Sequence, residues 1–388
     1  MPWECRTLEY TRQEFVARAI SKNESISALC REYGISRPTA YKWIERYKNG
    51  ESLSDKSHEP LSKPLKTPPR TEELILNART QHPTWGARKL RRFLQNKGYE
   101  ELPASSTISD ILKRNGCISA QDSESHTPWK RFEMNYPNQL WQMDYKGHFA
   151  MLNKERCHPL TILDDHSRYS LCIDAKENEK WLNTKSSIER IFCEYGLPHA
   201  ILCDNGNPWG DSHDGYSLFD LWMMQLDILP IHGRPLHPQT QGKEERFHRT
   251  MKNDLLLKVP IKDMMHAQKE FDEFRYCYNY ERPHDALNLD VPAKYYKPSK
   301  ILYNSILTEP QYDDGSCLRK VNYKGYISLN RHRYYLSEVF HGKYIKPVIH
   351  SDTEITLCYG NFQIATIDIK EKLIISKRIY RIDDKNCK

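Results

Sequence analysis

The chain has 388 residues, 28% charged and 38% hydrophobic, with 58 Lys and Arg against 51 Asp and Glu for a net charge of +7. That length predicts two to four domains at about 100–200 residues each. The mean hydropathy of −0.78 and the lack of any apolar run near the ~18–20 residues a spanning helix needs exclude a helical membrane protein, and 24 Tyr, 11 Phe and 8 Trp argue against wholesale disorder. Met1-Pro2-Trp3-Glu4-Cys5 lacks the charged-then-apolar layout of a secretory signal. Eleven scattered cysteines without a Cys-x-x-Cys pair read as free thiols of a reducing cytoplasm. No structural zinc is expected.

Residues 1–50 read as a three-helix DNA-binding unit. Phe15, Val16, Ala19 and Ile20 form one apolar stripe, and Ile26, Leu29, Cys30 and Tyr33 another behind the cap candidate Ser25. Gly34 breaks the chain, and Ser36 is the cap candidate of a third helix with a core face of Ala40, Ile44 and Tyr47. Two helices joined by a tight glycine turn match the helix-turn-helix pattern. The first residues of its second helix, here Arg37, Thr39, Tyr41 and Lys42, would meet base edges in the major groove.

Residues 51–70 are polar and Pro-rich, a linker. Residues 71–117 resume helical periodicity as a second helical DNA-binding unit, with Leu90, Phe93 and Leu94 inward and Arg88, Lys89, Arg91 and Arg92 as its basic face. Residues 118–137 are a second linker. Residues 138–298 read as one α/β domain of order β-β-β-α-β-α-β-α-α with a mixed five-stranded sheet. Residues 310–380 carry short strands, among them Val321–Tyr323, Ile327–Leu329 and Phe362–Ile367, that suggest a small β-barrel.

Three acids stand where charge opposes stability. Asp144 interrupts the apolar, aromatic strand Leu140-Trp141-Gln142-Met143-Asp144-Tyr145, Asp204 ends the buried run Ala200-Ile201-Leu202-Cys203, and Glu245 lies in the first turn of the helix beginning Gln241-Gly242-Lys243. Strand ends of open α/β sheets gather ligand sites. Three carboxylates on converging elements suit hard divalent cations. Two Mg²⁺ ions about 3.5–4 Å apart, with Mn²⁺ as a substitute, activate an attacking oxygen and stabilise a leaving one in phosphoryl transfer. The adjacent Asp165-His166-Ser167 is no hydrolase triad, which needs residues from separate elements.

Trp141-Gln142-Met143-Asp144-Tyr145-Lys146-Gly147, Asp204-Asn205-Gly206 and His237-Pro238-Gln239-Thr240-Gln241-Gly242-Lys243-Glu244-Glu245-Arg246 together resemble the DDE transposases of bacterial insertion sequences. These share the catalytic core of retroviral integrases. Tyr280-Glu281-Arg282-Pro283-His284-Asp285-Ala286-Leu287 resembles the stretch that closes such cores. The resemblance covers about residues 10–300. It implies an RNase H-like core, Asp144, Asp204 and Glu245 as catalytic metal ligands, cleavage at element ends and transfer of the 3′-hydroxyl into target DNA. It also implies double-stranded DNA as partner, a homo-oligomer that pairs two ends, and a cytoplasmic, nucleoid-associated site of action. The Gln-Gly-x-x-Glu spacing selects Glu245 over its neighbour Glu244, which is expected to be exposed. Arg249 and Lys252 share the face of Glu245, and with Lys243 they are candidate phosphate contacts. Forty residues separate Asp204 from Glu245, more than is usual in such cores, and the loop from Asn207 to Gly215 is expected to hold the excess. The rival readings are a nuclease of the same fold and a catalytically inactive helix-turn-helix repressor.

Overall fold

A computed structural model describes residues 8–55, 67–118, 133–206, 208–210, 215–233, 242–313 and 315–382. The expected linker segments 56–66 and 119–132, part of the loop after Asp204, and the motif from His237 to Gln241 lie outside the described residues. The chain divides into two compact units, residues 1–66 and 67–388, each described by itself.

The first unit holds α1 (Leu8–Ile20), α2 (Ile26–Glu32) and α3 (Arg37–Lys48). The Ser25 side chain accepts a hydrogen bond from the Ala28 amide and Ser36 accepts one from the Thr39 amide, so both predicted caps satisfy first-turn donors. Gly34 turns the chain between them at φ +64°, a conformation that favours glycine. Phe15, Val16, Leu29, Cys30, Ala40, Trp43 and Ile44 form the core. Tyr47, expected inside, is 53% exposed, and Trp43 fills the core face of α3 instead.

The second unit opens with α4 (Pro69–Gln81), α5 (Ala87–Asn96) and α6 (Ser105–Arg114), packed around Ile75, Trp85, Leu90, Phe93, Ile108 and Ile111. A six-stranded mixed sheet follows: β1 (Trp141–Tyr145), β2 (Phe149–Ala150), β3 (Arg156–Asp164), β4 (Ser170–Lys176), β5 (Ala200–Cys203) and β6 (Leu229–His232). The hydrogen-bonded order is β2-β3-β1-β5-β6, with β4 also on β3. Five strands were expected. The sixth arises because the aromatic segment predicted as one strand breaks after Tyr145 and resumes as the two-residue β2. Helices α7 (Trp181–Tyr195) and α8 (Leu218–Gln225) bury Ile188, Ile191, Phe192, Phe219, Trp222 and Met223 with the sheet residues Trp141, Met143 and Leu160. Fully burying such a side chain contributes about 1.5–3 kcal/mol. Helices α9 (Gly242–Met251) and α10 (Met264–Tyr276) form another cluster through Phe247, Met251 and Phe271 with Leu163 and Ile173.

At the C-terminal end lie β7 (Arg319–Lys320), β8 (Tyr326–Leu329), β9 (His332–Tyr335), β10 (Tyr344–Ile349), β11 (Glu354–Tyr359), β12 (Phe362–Asp368) and β13 (Leu373–Arg381). They make an open five-stranded sheet, β13-β12-β11-β10-β7, and a separate hairpin, β8-β9. The expected barrel is therefore not closed by hydrogen bonding among the described residues. The expected strand Val321–Tyr323 is instead the connection between β7 and β8, and it runs into a turn in which the Gly325 amide donates to the Asn322 carbonyl at 3.0 Å. The core of this region takes in Tyr216, Leu221 and Met224 from around α8. The Tyr216 hydroxyl donates to the Ile364 carbonyl at 2.5 Å.

Candidate active site

Strand register brings the two aspartates together. Strands β1 and β5 run parallel with Gln142 opposite Leu202. Asp144 and Asp204 each follow that pair by two residues, so they stand side by side at the C-terminal ends of neighbouring strands. Asp204 turns the chain out of β5, with its Oδ1 accepting the Gly206 amide at 3.1 Å. A Cβ at Gly206 would sit 2.9 Å from Asp204 Oδ2, so a side chain there would displace the Asp204 carboxylate. His232 on β6 lies beside this strand end, with Nε2 at 2.6 Å from Asp220 and Nδ1 at 3.2 Å from the Asp204 carbonyl. Burial works against charge on this ring, but Asp220 and Cys203 raise it to about 11.

Helix α9 supplies the third acid and divides into two faces. Glu244, Phe247 and Met251 point inward, while Glu245, Arg249 and Lys252 are exposed. Lys243 pins the helix start to the β3–β4 turn, its Nζ 2.5 Å from Oδ2 of the buried Asp165. Asp165 also accepts from the Gln142 side chain at 2.6 Å and the Met134 amide at 2.9 Å. Two expectations change here. Lys243 holds a buried acid rather than standing free for phosphate, because a carboxylate withdrawn from water requires a partner. Glu244 is 0% exposed, not a surface residue, because it occupies the apolar stripe of α9.

The electrostatics centre on Asp144. Burial, then the charge of Asp204, with smaller contributions from Glu179 and Glu245, pushes its carboxyl up to about 7. This direction marks unrelieved like charge in a partly dry site. Glu179, just before α7, was not singled out by sequence; its Oε1 lies 2.8 Å from His158 Nδ1. His248 was likewise missed. Its Nε2 is 2.8 Å from Thr161 Oγ1 and its Nδ1 is 3.8 Å from Asp144 Oδ2. Burial and the nearby Lys146 lower its pKa to about 3, so the ring is neutral. The donor chemistry of Asp144, Asp204 and Glu245 fits a hard dication, whose charge would relieve their repulsion. Among the described residues no three His, Cys, Asp or Glu side chains already close around one point, so the acids form an open set rather than a finished cage.

The other expected contacts divide. In the first unit Arg37, Tyr41 and Lys42 are exposed on α3, while Thr39 is half-buried with its hydroxyl 2.8 Å from Ser36 Oγ. In α5 the cations meet protein. Arg92 lies 2.5 Å from Asp290, Lys89 Nζ lies 3.4 Å from Asp285, and Arg91 Nε donates to the Pro103 carbonyl at 3.0 Å. Arg88 is exposed, 3.8 Å from Asp285. The expected basic face of the second unit is thus largely committed to the segment that follows α10. The same seam holds Asp254, which accepts from Thr84 and from Arg282, whose guanidinium lies 5.7 Å over the Trp85 ring. No helix of the described residues is long and apolar enough to cross a membrane.

Family models match along the same divisions. A helix-turn-helix domain model matches residues 11–60 and a homeodomain-like model residues 39–112. Integrase core domain models match residues 135–238 and 226–292. Among curated proteins, the Gag-Pro-Pol polyprotein of squirrel monkey retrovirus is 34% identical over 119 residues, 31% of this chain and 6% of that protein. An insertion element IS476 protein of Xanthomonas euvesicatoria is 25% identical over 166 residues, 43% of this chain and 46% of its own length. An IS407 protein of Burkholderia multivorans is 23% identical over 159 residues, 41% of this chain and 55% of its own. The matches therefore span about half of the insertion-element relatives and a small part of the viral polyprotein. Among solved structures, the HTLV-2 integrase catalytic core domain in complex with magnesium aligns at TM-score 0.33 and 19% identity, covering 42% of this chain and 98% of that one. A simian T-cell lymphotropic virus intasome chain aligns at TM-score 0.37 and 15% identity, covering 74% of this chain and 96% of that one. The chain thus matches integrase core domain models behind N-terminal helix-turn-helix matches, and it is similar to proteins of bacterial insertion elements.

Proposed function

We propose that the protein is a DNA transposase that cleaves the ends of an insertion sequence and joins the freed 3′-hydroxyl to target DNA. The observation that supports this most is the parallel register of β1 and β5, which stands Asp144 beside Asp204 at neighbouring strand ends, with Glu245 on the exposed face of α9. These three residues would hold two divalent cations, Mg²⁺ or Mn²⁺. When bound, such ions activate the attacking oxygen and stabilise the leaving one in an in-line transfer. The protein's own part is positioning. Adjacent strand ends fix Asp144 and Asp204, Lys243 and Asp165 fix the start of α9, and Arg249 and Lys252 extend along the face of Glu245 as phosphate contacts. Arg37, Tyr41 and Lys42 of α3 would read element ends in the major groove, with Thr39 beneath them. Joining two ends requires at least two protomers on DNA.

The test is strand transfer in vitro with full-length protein, a labelled DNA end from the flanks of its own gene, and supercoiled plasmid. Joined product is expected with Mg²⁺ or Mn²⁺ and none with chelator. Asp204→Asn and Glu245→Gln should each abolish joining while retaining end binding. Cleavage without joining would make the protein a nuclease. Specific binding with neither reaction would make it a repressor.

A further inference from the structure

Glu244 sits three residues before Phe247 and seven before Met251, on a stripe otherwise apolar and fully withdrawn from water. A carboxyl there costs stability unless polar partners receive it. The partners are Thr161 and His248. Thr161 on β3 lies opposite Asp144 on β1. Its hydroxyl lies 3.0 Å from the Asp144 carbonyl oxygen, 3.1 Å from Glu244 Oε2 and 2.8 Å from His248 Nε2. With one proton, that hydroxyl donates to only one of the two oxygens at a time, and a lone pair is left to accept from the Nε2–H of the ring. His248, one turn beyond Glu244, has Nε2 tied in this way while its Nδ1 edge faces Asp144 Oδ2 at 3.8 Å, contact distance. The imidazole therefore limits how far the Asp144 carboxylate can swing toward α9. The cluster links the strand that carries Asp144 to the helix that carries Glu245.

We propose that His248, anchored by Thr161, is a positioning residue that fixes Asp144 relative to Glu245 for metal binding. This rests on the reading of Asp144 as a metal ligand. Neighbours that orient ligands in this way typically change metal affinity by about 10–100-fold when removed.

The probe is Mn²⁺ alone, titrated calorimetrically into the full-length protein without DNA. His248→Ala and Thr161→Val are each expected to weaken Mn²⁺ binding on the order of 10-fold. The Mn²⁺ concentration for half-maximal cleavage should rise in parallel, with the rate recovering at saturating metal. His248→Gln, whose amide can still reach Thr161, and Thr161→Ser, which keeps the hydroxyl, should recover most of the affinity. Parental affinity in His248→Ala overturns the proposal. So does an equal loss in His248→Ala and His248→Gln that follows a fall in thermal midpoint, which marks a folding role. Asp144→Asn is the control: if it loses Mn²⁺ while His248→Ala does not, positioning alone fails. Unaltered binding by Asp144→Asn removes the metal reading and the positioning role together.

Discussion

Helices α3 and α5 carry the same sequence signal and reach different ends. Each begins with basic residues on a helix whose other face is apolar. On α3 the cations Arg37 and Lys42 are exposed, and Tyr41 between them is 55% exposed. On α5, Lys89 and Arg92 meet Asp285 and Asp290, nearly two hundred residues further along the chain. A cation stripe specifies only that something negative or wet lies opposite. Whether that is phosphate, water or a distant carboxylate depends on tertiary placement. The difference leaves α3 open for the proposed DNA contact and commits α5 to holding its three-helix group on the core.

The largest expected effect tests the holding role. Asp254 receives Thr84 from the helical group and Arg282 from the core, and both members of the Asp254–Arg282 pair are mostly buried. Asp254→Ala leaves Arg282 without its carboxylate in the seam. Breaking a buried pair in this way costs about 3 kcal/mol. Urea unfolding should show that loss, with protease cutting first between α4 and α6. Unchanged stability would mean that the seam contributes nothing to the fold.

The next effect tests the reading role. Arg37→Ala and Lys42→Ala should each weaken end-specific binding by about 1–3 kcal/mol, the range of a base-edge contact, while random DNA is bound almost as before. Equal losses on both substrates would make them phosphate contacts. Arg92→Ala is the counterpart: it should lower thermal stability and leave end specificity intact. A matched loss of specificity in Arg92→Ala would return α5 to the DNA interface.

The same contrast explains what the sequence discloses. Asp144 and Asp204 are legible because each breaks an apolar strand, and parallel pairing then forces them together. The caps at Ser25 and Ser36 are legible because they are local. Glu244 could have been placed correctly by extending the stripe Phe247, Met251 and Leu255 back by one turn. Its charge concealed that position. His248 and Glu179 give no local signal, since their roles arise only when α9 and the start of α7 approach β1 and β3. Alternation revealed most of the C-terminal strands but not whether they close, which depends on pairing between β7 and β13 at opposite ends of the segment. Strand β13 itself was hidden because Ser376, Lys377 and Arg378 interrupt its apolar residues.

The smallest effect is a pH response in the seam that α5 helps to form. His82 stacks on Trp85 with ring centroids 3.8 Å apart, and burial followed by the charge of Lys97 lowers its pKa to about 4. His284 packs edge-on to Tyr278 at 4.6 Å, and burial followed by Arg282 lowers it to about 3. An unfolded histidine titrates near 6.5. Between that value and the folded ones, each of these two rings binds more protons in the unfolded chain than in the native protein, so their contribution to stability rises with pH across this window. The contribution is complete above about 6.5 and declines as pH falls, with no further loss from His82 below about 4. The parental thermal midpoint should therefore fall relative to that of His82→Gln between pH 7.5 and 5, a range in which ordinary surface carboxylates stay ionised. His82→Gln should flatten part of that slope, and the matching change at Arg37 should not, because α3 has no buried histidine in its core. Parental and His82→Gln midpoints that move in parallel from pH 7.5 to 5 would show that the seam opens to water before the rings must accept protons. The ion pairs of the seam would then be open to water as well, which makes the attachment of the α5 group dependent on salt rather than on pH.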